Sequence, residues 1–335
     1  MLTKSELNKI KSELDSCENP LFIFHDDGDG ICSYLQCYLY KKRGHGELIK
    51  KLYTLSKEYE YLARKYNSDK IFALDIPNVT QEFIDEVDVP IVWIDHHPVL
   101  ERENVLYLNP RKHAPDKNYP VSYLCYKALK ESLWIGMLGS ISDYHLPLDL
   151  LPEFSKKYPD LLSEDIKTPG EAMYESSFGE LIKIISLGLK NPKYRIEKLL
   201  DLLLTFQDPR EVFELEKEIE KNLSRYEKLK KAALKHKPEG LFYIYKYENK
   251  VPFSSDLANE LIYYFPDKII LLAREKEEEI RGSIRSRKYK ILDPLKKSLI
   301  GINGTGGGHE YACGIKIKSS NWEKFIDTFK NKFNK

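Results

Sequence analysis

Short apolar runs alternate with helical stretches through the first 145 residues. Leu21–Phe24, Ile49–Leu55, Lys70–Leu74, Ile91–Ile94 and Val105–Leu108 have the length and composition of buried strands. Ile31–Tyr40, Ser122–Lys130 and Leu133–Ile141 carry apolar positions at helical spacing. Such alternation predicts an α/β fold with a parallel sheet covered on both faces. From residue 148 the pattern changes to polar helices without recurrent strand signals. Glu180–Leu189 and Ile196–Phe206 are apolar helical cores, and Arg210–Lys237 reads as one long charged helix. Its seam, Val212, Leu215, Ile219, Asn222, Tyr226, Leu229 and Ala233, has heptad spacing at the lower limit for a coiled coil. The same seam would suit an amphipathic connector lying on its own domain. Strand signals return after Gly240, at Leu241–Tyr247, Lys268–Ala273, the basic Arg281–Arg287 and Ile315–Lys318. Helices are expected at Ser254–Phe265, Asp293–Ile300 and Asn321–Phe333. The pattern predicts three parts: a catalytic α/β domain over 1–147, a helical connector with a possible coiled coil over 148–240, and a smaller α/β domain over 241–335.

In a parallel sheet, ligands bind beyond the carboxyl ends of the strands. Polar, chemistry-bearing residues follow several of the N-terminal strand runs. His25-Asp26-Asp27-Gly28-Asp29-Gly30 follows the first, Asp75 the third, and Asp95-His96-His97 the fourth; Asp143 follows the buried helix. In the first of these, His25, Asp27 and Asp29 alternate, so on an extended segment they would point the same way. Gly28 and Gly30 would let the backbone approach a metal or phosphate. A plain turn is the alternative for this segment, since Asp and Gly are turn formers. His96 and His97, adjacent at a strand end, would face opposite sides, with Asp95 orienting one of them. Asp143 could equally cap its helix. Together these side chains suffice for two divalent ions, an arrangement suited to phosphoester hydrolysis. Near the other end lies Gly304-Thr305-Gly306-Gly307-Gly308-His309, read as a loop without the Lys-Ser/Thr of a P-loop. It is expected to be either an anion nest or a structural hairpin or helix entry. Arg281, Arg285, Arg287, Lys288, Lys290, Lys296 and Lys297 surround it in sequence, opposed locally by Asp293 alone.

Composition narrows the classes. The net charge of +1 gives no whole-protein signature of nucleic-acid binding, so a polyanion would need a local patch or metals. Cys17, Cys32, Cys37, Cys125 and Cys313 form no CxxC pair, which speaks against a disulfide framework or a zinc site. Met1 to Ser16 reads as a polar helix rather than a signal peptide, and no apolar run reaches membrane-spanning length. A cytoplasmic protein without membrane association is expected.

In order and spacing, His25-x-Asp27-x-Asp29-Gly30, Asp75, Asp95-His96-His97 and Asp143 resemble the four catalytic motifs of the DHH phosphoesterase family. Gly306-Gly307-Gly308-His309 with Ala312 and Gly314 resembles the glycine-histidine motif of its DHHA1 domain. The layout is most similar to archaeal RecJ-like nucleases, including the Hef-associated subgroup. Residues 148–240 carry no motif of the family. The resemblance implies a binuclear manganese centre, with Mg²⁺ or Co²⁺ as substitutes. His25, Asp27 and Asp75 would hold one ion, and Asp29, Asp75, His96 and Asp143 the other, so that Asp75 bridges. It gives catalytic parts to Asp75, Asp95 and His97, and substrate binding to Arg285, Arg287, Gly306, Gly307, Gly308 and His309. The expected activity is a manganese-dependent phosphodiesterase acting as an exonuclease on single-stranded DNA or RNA, with 3′–5′ polarity favoured. A role in DNA repair or replication, with a protein partner from that pathway, and a homo-oligomer through 210–237 are further expectations. The alternatives are a hydrolase of short oligonucleotides, cyclic dinucleotides or nucleotide 3′-phosphates, and a non-catalytic Cdc45-like scaffold. A scaffold of that kind characteristically lacks ligands that are all present here.

Overall fold

The computed structural model describes residues 1–49, 54–190, 196–248 and 251–333. The chain divides into two compact units, Met1–Lys217 and Glu218–Lys335.

The elements of the first unit are α1 (Lys4–Asp15), β1 (Pro20–His25), α2 (Gly28–Lys41), β2 (His45–Ile49), β3 (Thr54–Leu55), α3 (Tyr61–Lys65), β4 (Lys70–Leu74), β5 (Asn78–Val79), α4 (Gln81–Glu86), β6 (Ile91–Ile94), β7 (Leu106–Leu108), α5 (Val121–Leu129), α6 (Leu133–Ser142), α7 (Leu151–Lys157), α8 (Pro169–Tyr174), α9 (Ser177–Leu189) and α10 (Ile196–Thr205). Of the strand expected over Ile49–Leu55, residues 50–53 lie outside the described residues. The main sheet is parallel throughout, in the order β2-β1-β4-β6-β7. Every residue of β4 and β6 is buried, as the continuous apolar runs require of strands covered on both faces. On one face Leu21, Ile23, Ile71, Ala73 and Trp93 pack with Leu62 of α3 and Phe83 of α4. On the other, Phe22 and Phe24 meet Tyr34 of α2. The chain runs from β1 outward to β2, then returns to the far side of β1 with β4. The switch point of the topology therefore lies between β1 and β4, where a crevice forms beyond the strand ends.

The expected helix over Arg210–Lys237 is broken. A 3₁₀ segment, Pro209–Leu215, is capped by Asp208 and followed by α11 (Glu216–Lys235). Pro209 suits the first position of such a turn and cannot continue an earlier helix. Of the heptad seam, Val212 and Leu215 are buried in the first unit. Ile219, Asn222, Tyr226, Leu229 and Ala233 are buried in the second. There the Tyr226 hydroxyl donates to Glu260 at 2.6 Å, and the Tyr243 hydroxyl donates to the Ala233 carbonyl. The stripe is covered by its own domain.

The second unit continues with β8 (Phe242–Glu248), α12 (Ser254–Tyr264), β9 (Ile269–Lys276), β10 (Glu279–Arg285), α13 (Leu292–Ser298), β11 (Gly304–His309), β12 (Ala312–Lys318) and α14 (Trp322–Asn331). Its mixed sheet has the order β11-β12-β10-β9-β8, parallel only between β8 and β9. Leu271, Ala273, Ile280, Ile284, Ile315 and Ile317 pack under Leu295 of α13 and Phe325 and Phe329 of α14. The expected glycine loop is a strand, β11, paired antiparallel with β12. Successive N–H groups of a strand point to opposite edges, so this segment cannot close into an anion nest. Close approach explains Gly304, Gly306 and Gly308, though not Gly307: at Gly308 (φ +137°) a Cβ would meet the Ala312 carbonyl oxygen at 2.3 Å. The basic strand stops at Arg285, so Arg285 and Arg287 do not share a strand face.

Candidate metal centre

Parallel register builds the site. Phe24 pairs with Leu74, Leu74 with Ile94, and Ile94 with Leu108. The residues one step beyond, His25, Asp75, Asp95 and Asn109, form one row across the sheet edge. Backbone bonds extend the ladder that far: the Asp75 N–H donates to the Ile94 carbonyl at 3.0 Å, and the Asp95 N–H to the Leu108 carbonyl at 3.2 Å. Asp75 leaves the strand with φ +57°, a left-handed conformation that is strained for a non-glycine residue. Strain of this kind collects where a side chain must be aimed.

Asp27 keeps an extended backbone, but Asp29 does not, contrary to expectation. Asp27 caps α2, accepting from the Gly30 N–H at 3.0 Å, and its other oxygen lies 2.8 Å from His25 Nδ1. Asp29 lies in the first turn of α2, fully buried. It accepts from the Val121 N–H (2.8 Å), the Ser122 N–H (2.8 Å) and the Ser122 hydroxyl, all at the start of α5. The glycines serve packing here rather than ligand approach. A Cβ at Gly28 would meet Ser142 Oγ at 2.2 Å, and one at Gly30 the His25 carbonyl oxygen at 2.5 Å.

His96 and His97 were expected on opposite sides. The strand ends at Ile94, so the alternation lapses before them, and their rings lie 4.6 Å apart. His96 Nε2 is 3.2 Å and His97 Nδ1 3.9 Å from Asp75 Oδ1. Asp95, fully buried, is held by the His97 N–H (2.9 Å), His97 Nδ1 (2.8 Å), the Tyr107 hydroxyl (3.4 Å) and Asn109 Nδ2 (3.3 Å). It thus anchors His97 and reaches no other histidine. Asp143 follows α6 as its C-cap, with its backbone N–H on the Gly139 carbonyl, and Oδ2 lies 3.6 Å from His96 Nδ1.

Three overlapping groups of potential ligands result: His25, Asp27 and Asp75; Asp75, His96 and His97; Asp29, His96 and Asp143. Within each group the donor atoms lie inside 4.8 Å of one another. Asp75 and His96 each belong to two groups. The electrostatics show what so many acids cost one another. Burial and the neighbouring Asp75 carboxylate push Asp29 well up, and burial pushes Asp143 up to about 6 despite His96 beside it. Burial alone would lower the histidines, but hydrogen bonds to Asp27 and Asp75 raise His25 to about 11, and Asp75 raises His96 strongly. Burial would also raise Asp75, yet the bonds from His25 and His96 hold its carboxyl far below the usual range. Crowded, buried carboxylates with imidazoles pressed against them are the donor set that divalent cations neutralise, and they fit the metals implied by the motifs.

Two residues that belong to this site were missed from the sequence. Asn109 follows the Val105–Leu108 run just as Asp75 and Asp95 follow theirs, so the signal was there to read. Asn118 lies in an irregular loop with no such signal. Its Nδ2 donates to Asp143 Oδ2 at 2.8 Å, and its Oδ1 is 2.6 Å from His96 Nδ1.

The residues expected to bind substrate belong to the second unit. Ala312 pairs with both Arg285 and His309, which puts those two on one face of the mixed sheet, two strands apart. The Arg285 guanidinium donates to Asn259 Oδ1 (2.6 Å), Ser255 Oγ (2.9 Å) and the Cys313 carbonyl (3.2 Å). Arg287 lies over the Tyr263 ring, 5.9 Å from its centroid. Gly306, Gly307 and Gly308 line the edge strand. The basic cluster is less lopsided than its sequence neighbourhood indicated. Arg281 pairs with Glu279, Lys288 with Asp267 and Lys290 with Glu310. All five cysteines are buried and unbridged.

Residues 241–335 match the DHHA1 domain. No curated protein matches the chain by sequence. Among solved structures, the chain is similar to RecJ in complex with Mn²⁺ from Thermus thermophilus, with 19% identity and a TM-score of 0.70 over 99% of this chain and 55% of that one. An exonuclease RecJ bound to manganese follows with 16% identity and a TM-score of 0.68, covering 98% and 94%. The pGpG-specific phosphodiesterase PggH from Vibrio cholerae shares 13% identity at a TM-score of 0.52, covering 95% and 99%. The chain thus spans about half the length of the first of these. The shared fold is a parallel-sheet unit, a helical middle and the DHHA1 domain. Among the described residues no helix is long and apolar enough to cross a membrane.

Proposed function

We propose that this protein is a metal-dependent phosphoesterase of the DHH/DHHA1 type that degrades single-stranded nucleic acid from an end, with 3′–5′ polarity. The observation that carries the reading is the set of three overlapping His/Asp groups, joined by Asp75 and His96, at the switch point of the parallel sheet. When bound, two divalent ions would supply charge neutralisation at a phosphoryl group. His25, Asp27 and Asp75 would hold one, and Asp75, His96, Asp29 and Asp143 the other. Asp29 contributes less freely, since both its oxygens already accept bonds from α5. Asp95 holds His97 by Nδ1, which leaves the remaining ring nitrogen to carry or give up a proton. Arg285 and His309 are proposed to grip the substrate.

The RecJ-like folds support the nuclease. The likeness to a pGpG-specific phosphodiesterase supports a second reading, hydrolysis of very short substrates. End-labelled DNA and RNA oligomers of graded length, incubated with Mn²⁺ beside pGpG, test both. Stepwise shortening of long oligomers is expected. Turnover confined to dinucleotides would establish the second reading, and none on any phosphodiester would sink both.

A further inference from the structure

Asn118 touches two members of the cluster, and its hydrogen bonds leave only one arrangement of protons. Its Nδ2 lies 3.1 Å from the Asp143 carbonyl oxygen and 2.8 Å from Asp143 Oδ2. A carbonyl oxygen can only accept, so the NH₂ of the amide must face Asp143. The amide oxygen therefore faces His96 Nδ1, 2.6 Å away. That oxygen can only accept as well, so Nδ1 carries the proton. When an ion displaces the proton that Nε2 shares with Asp75 Oδ1, 3.2 Å away, the single N–H of the neutral imidazole stays on Nδ1 and the lone pair lies on Nε2.

We infer that Asn118 is a positioning residue that locks His96 as the Nδ1–H tautomer and so selects Nε2, on the Asp75 side, as its metal-binding atom. The inference rests on the metal-centre reading above and adds to it a ligand atom and the residue that chooses it. Asp143 and His96 can then hold a common ion only through Nε2 of the imidazole. Although Nδ1 lies 3.6 Å from Asp143 Oδ2, an ion cannot be shared there through a protonated nitrogen. Asp143 and His96 are joined through the Asn118 amide instead. Partners that fix a ligating histidine in this way raise its basicity and its order, and their loss typically weakens metal binding about 10–100-fold.

The test needs no substrate. Cadmium NMR on protein with isotope-labelled histidines reads which ring nitrogen binds, through its coupling to the metal. Mn²⁺ titration followed by electron paramagnetic resonance reads affinity. Coupling at His96 Nε2 is expected in the wild type. It should persist in Asn118→Asp, which keeps an acceptor for the Nδ1 proton. Asn118→Leu should bind Mn²⁺ about 10–100-fold more weakly. Coupling at Nδ1 in the wild type, or unchanged Mn²⁺ affinity in Asn118→Leu, overturns the assignment while leaving the metal centre standing. Wild-type protein that takes up no divalent ion overturns the metal centre and this inference with it. If Asn118→Leu does not fold, the wild-type and Asn118→Asp couplings decide alone.

Discussion

The parallel sheet ends in the row His25, Asp75, Asp95, Asn109, and the mixed sheet carries across its strands the rows His309, Ala312, Arg285 and Arg274, Arg281, Lys316. All three rows come from register alone. In the first, every strand runs the same way, so all carboxyl ends meet at one edge and the polar groups that follow are pressed together. Asp75 and Asp95 are buried, and around Asp75 the imidazoles of His25 and His96 are pushed up while the Asp75 carboxyl is held down. In the mixed sheet, most strands run antiparallel, and the charged residues stand on a face open to water. There Glu279 accepts from both Arg281 (2.6 Å) and Lys316 (2.8 Å). Buried like charges call for a cation. Exposed unlike charges neutralise each other and contribute little.

If that contrast holds, the largest effects lie in the first row. Asp75→Asn removes the carboxylate shared by two ligand groups. Hydrolysis of labelled oligomers should fall by orders of magnitude, together with bound metal measured by elemental analysis. Turnover near wild type would break the comparison at its strongest point.

Metal removal comes next. Chelation should lower the thermal midpoint, because an ion present at a hundred times its dissociation constant adds about 2.7 kcal/mol of stability. The ion must displace protons that Asp27 and Asp75 hold on His25, and Asp75 on His96. Mn²⁺ affinity should therefore weaken as pH falls, and calorimetry at two pH values reads this. Equal affinity at both would remove the coupling.

On the second sheet the effects should be smaller. His309→Ala is expected to raise KM for oligonucleotides about ten-fold, the worth of roughly one charge-assisted hydrogen bond, with metal content unchanged. Loss of metal in this variant would instead make His309 part of the centre.

The smallest effect belongs to Glu279→Gln. Hydrogen bonds from Lys316 and Arg281 lower the Glu279 carboxyl. A depressed folded-state value contributes stability above the unfolded carboxylate range, lost as pH falls through the folded value. The variant should therefore differ from wild type only at neutral pH and converge with it in acid. At neutral pH it should bind oligonucleotides slightly better, since two cations are released. A difference that grew in acid would reverse the sign.

Most strands of both sheets, though not β2 or β11, and most helices could be placed from apolar periodicity, because burial on a pleated or helical face imposes a period that local sequence must obey. His25, Asp75 and Asp95 could be placed with them, since each ends an apolar run and the parallel topology brings run ends together. Beyond that, reach across the chain mattered. Asp29 entered a helix because Asp27 could cap it, a competition between local hydrogen bonds that an alternating pattern does not reveal. The glycine segment became a strand because β12 lay ready to pair with it. The seam on α11 meets α12 and β8 through Tyr226 and Ala233, contacts that heptad spacing does not reveal. Asn118 had no periodic signal at all, since its place depends on the separate positions of His96 and Asp143. Pattern along a chain records which residues must be buried and which must follow one another. Which acid meets which imidazole, and which charges cancel, depends on contacts between segments far apart in sequence, and those exist only once the chain has packed.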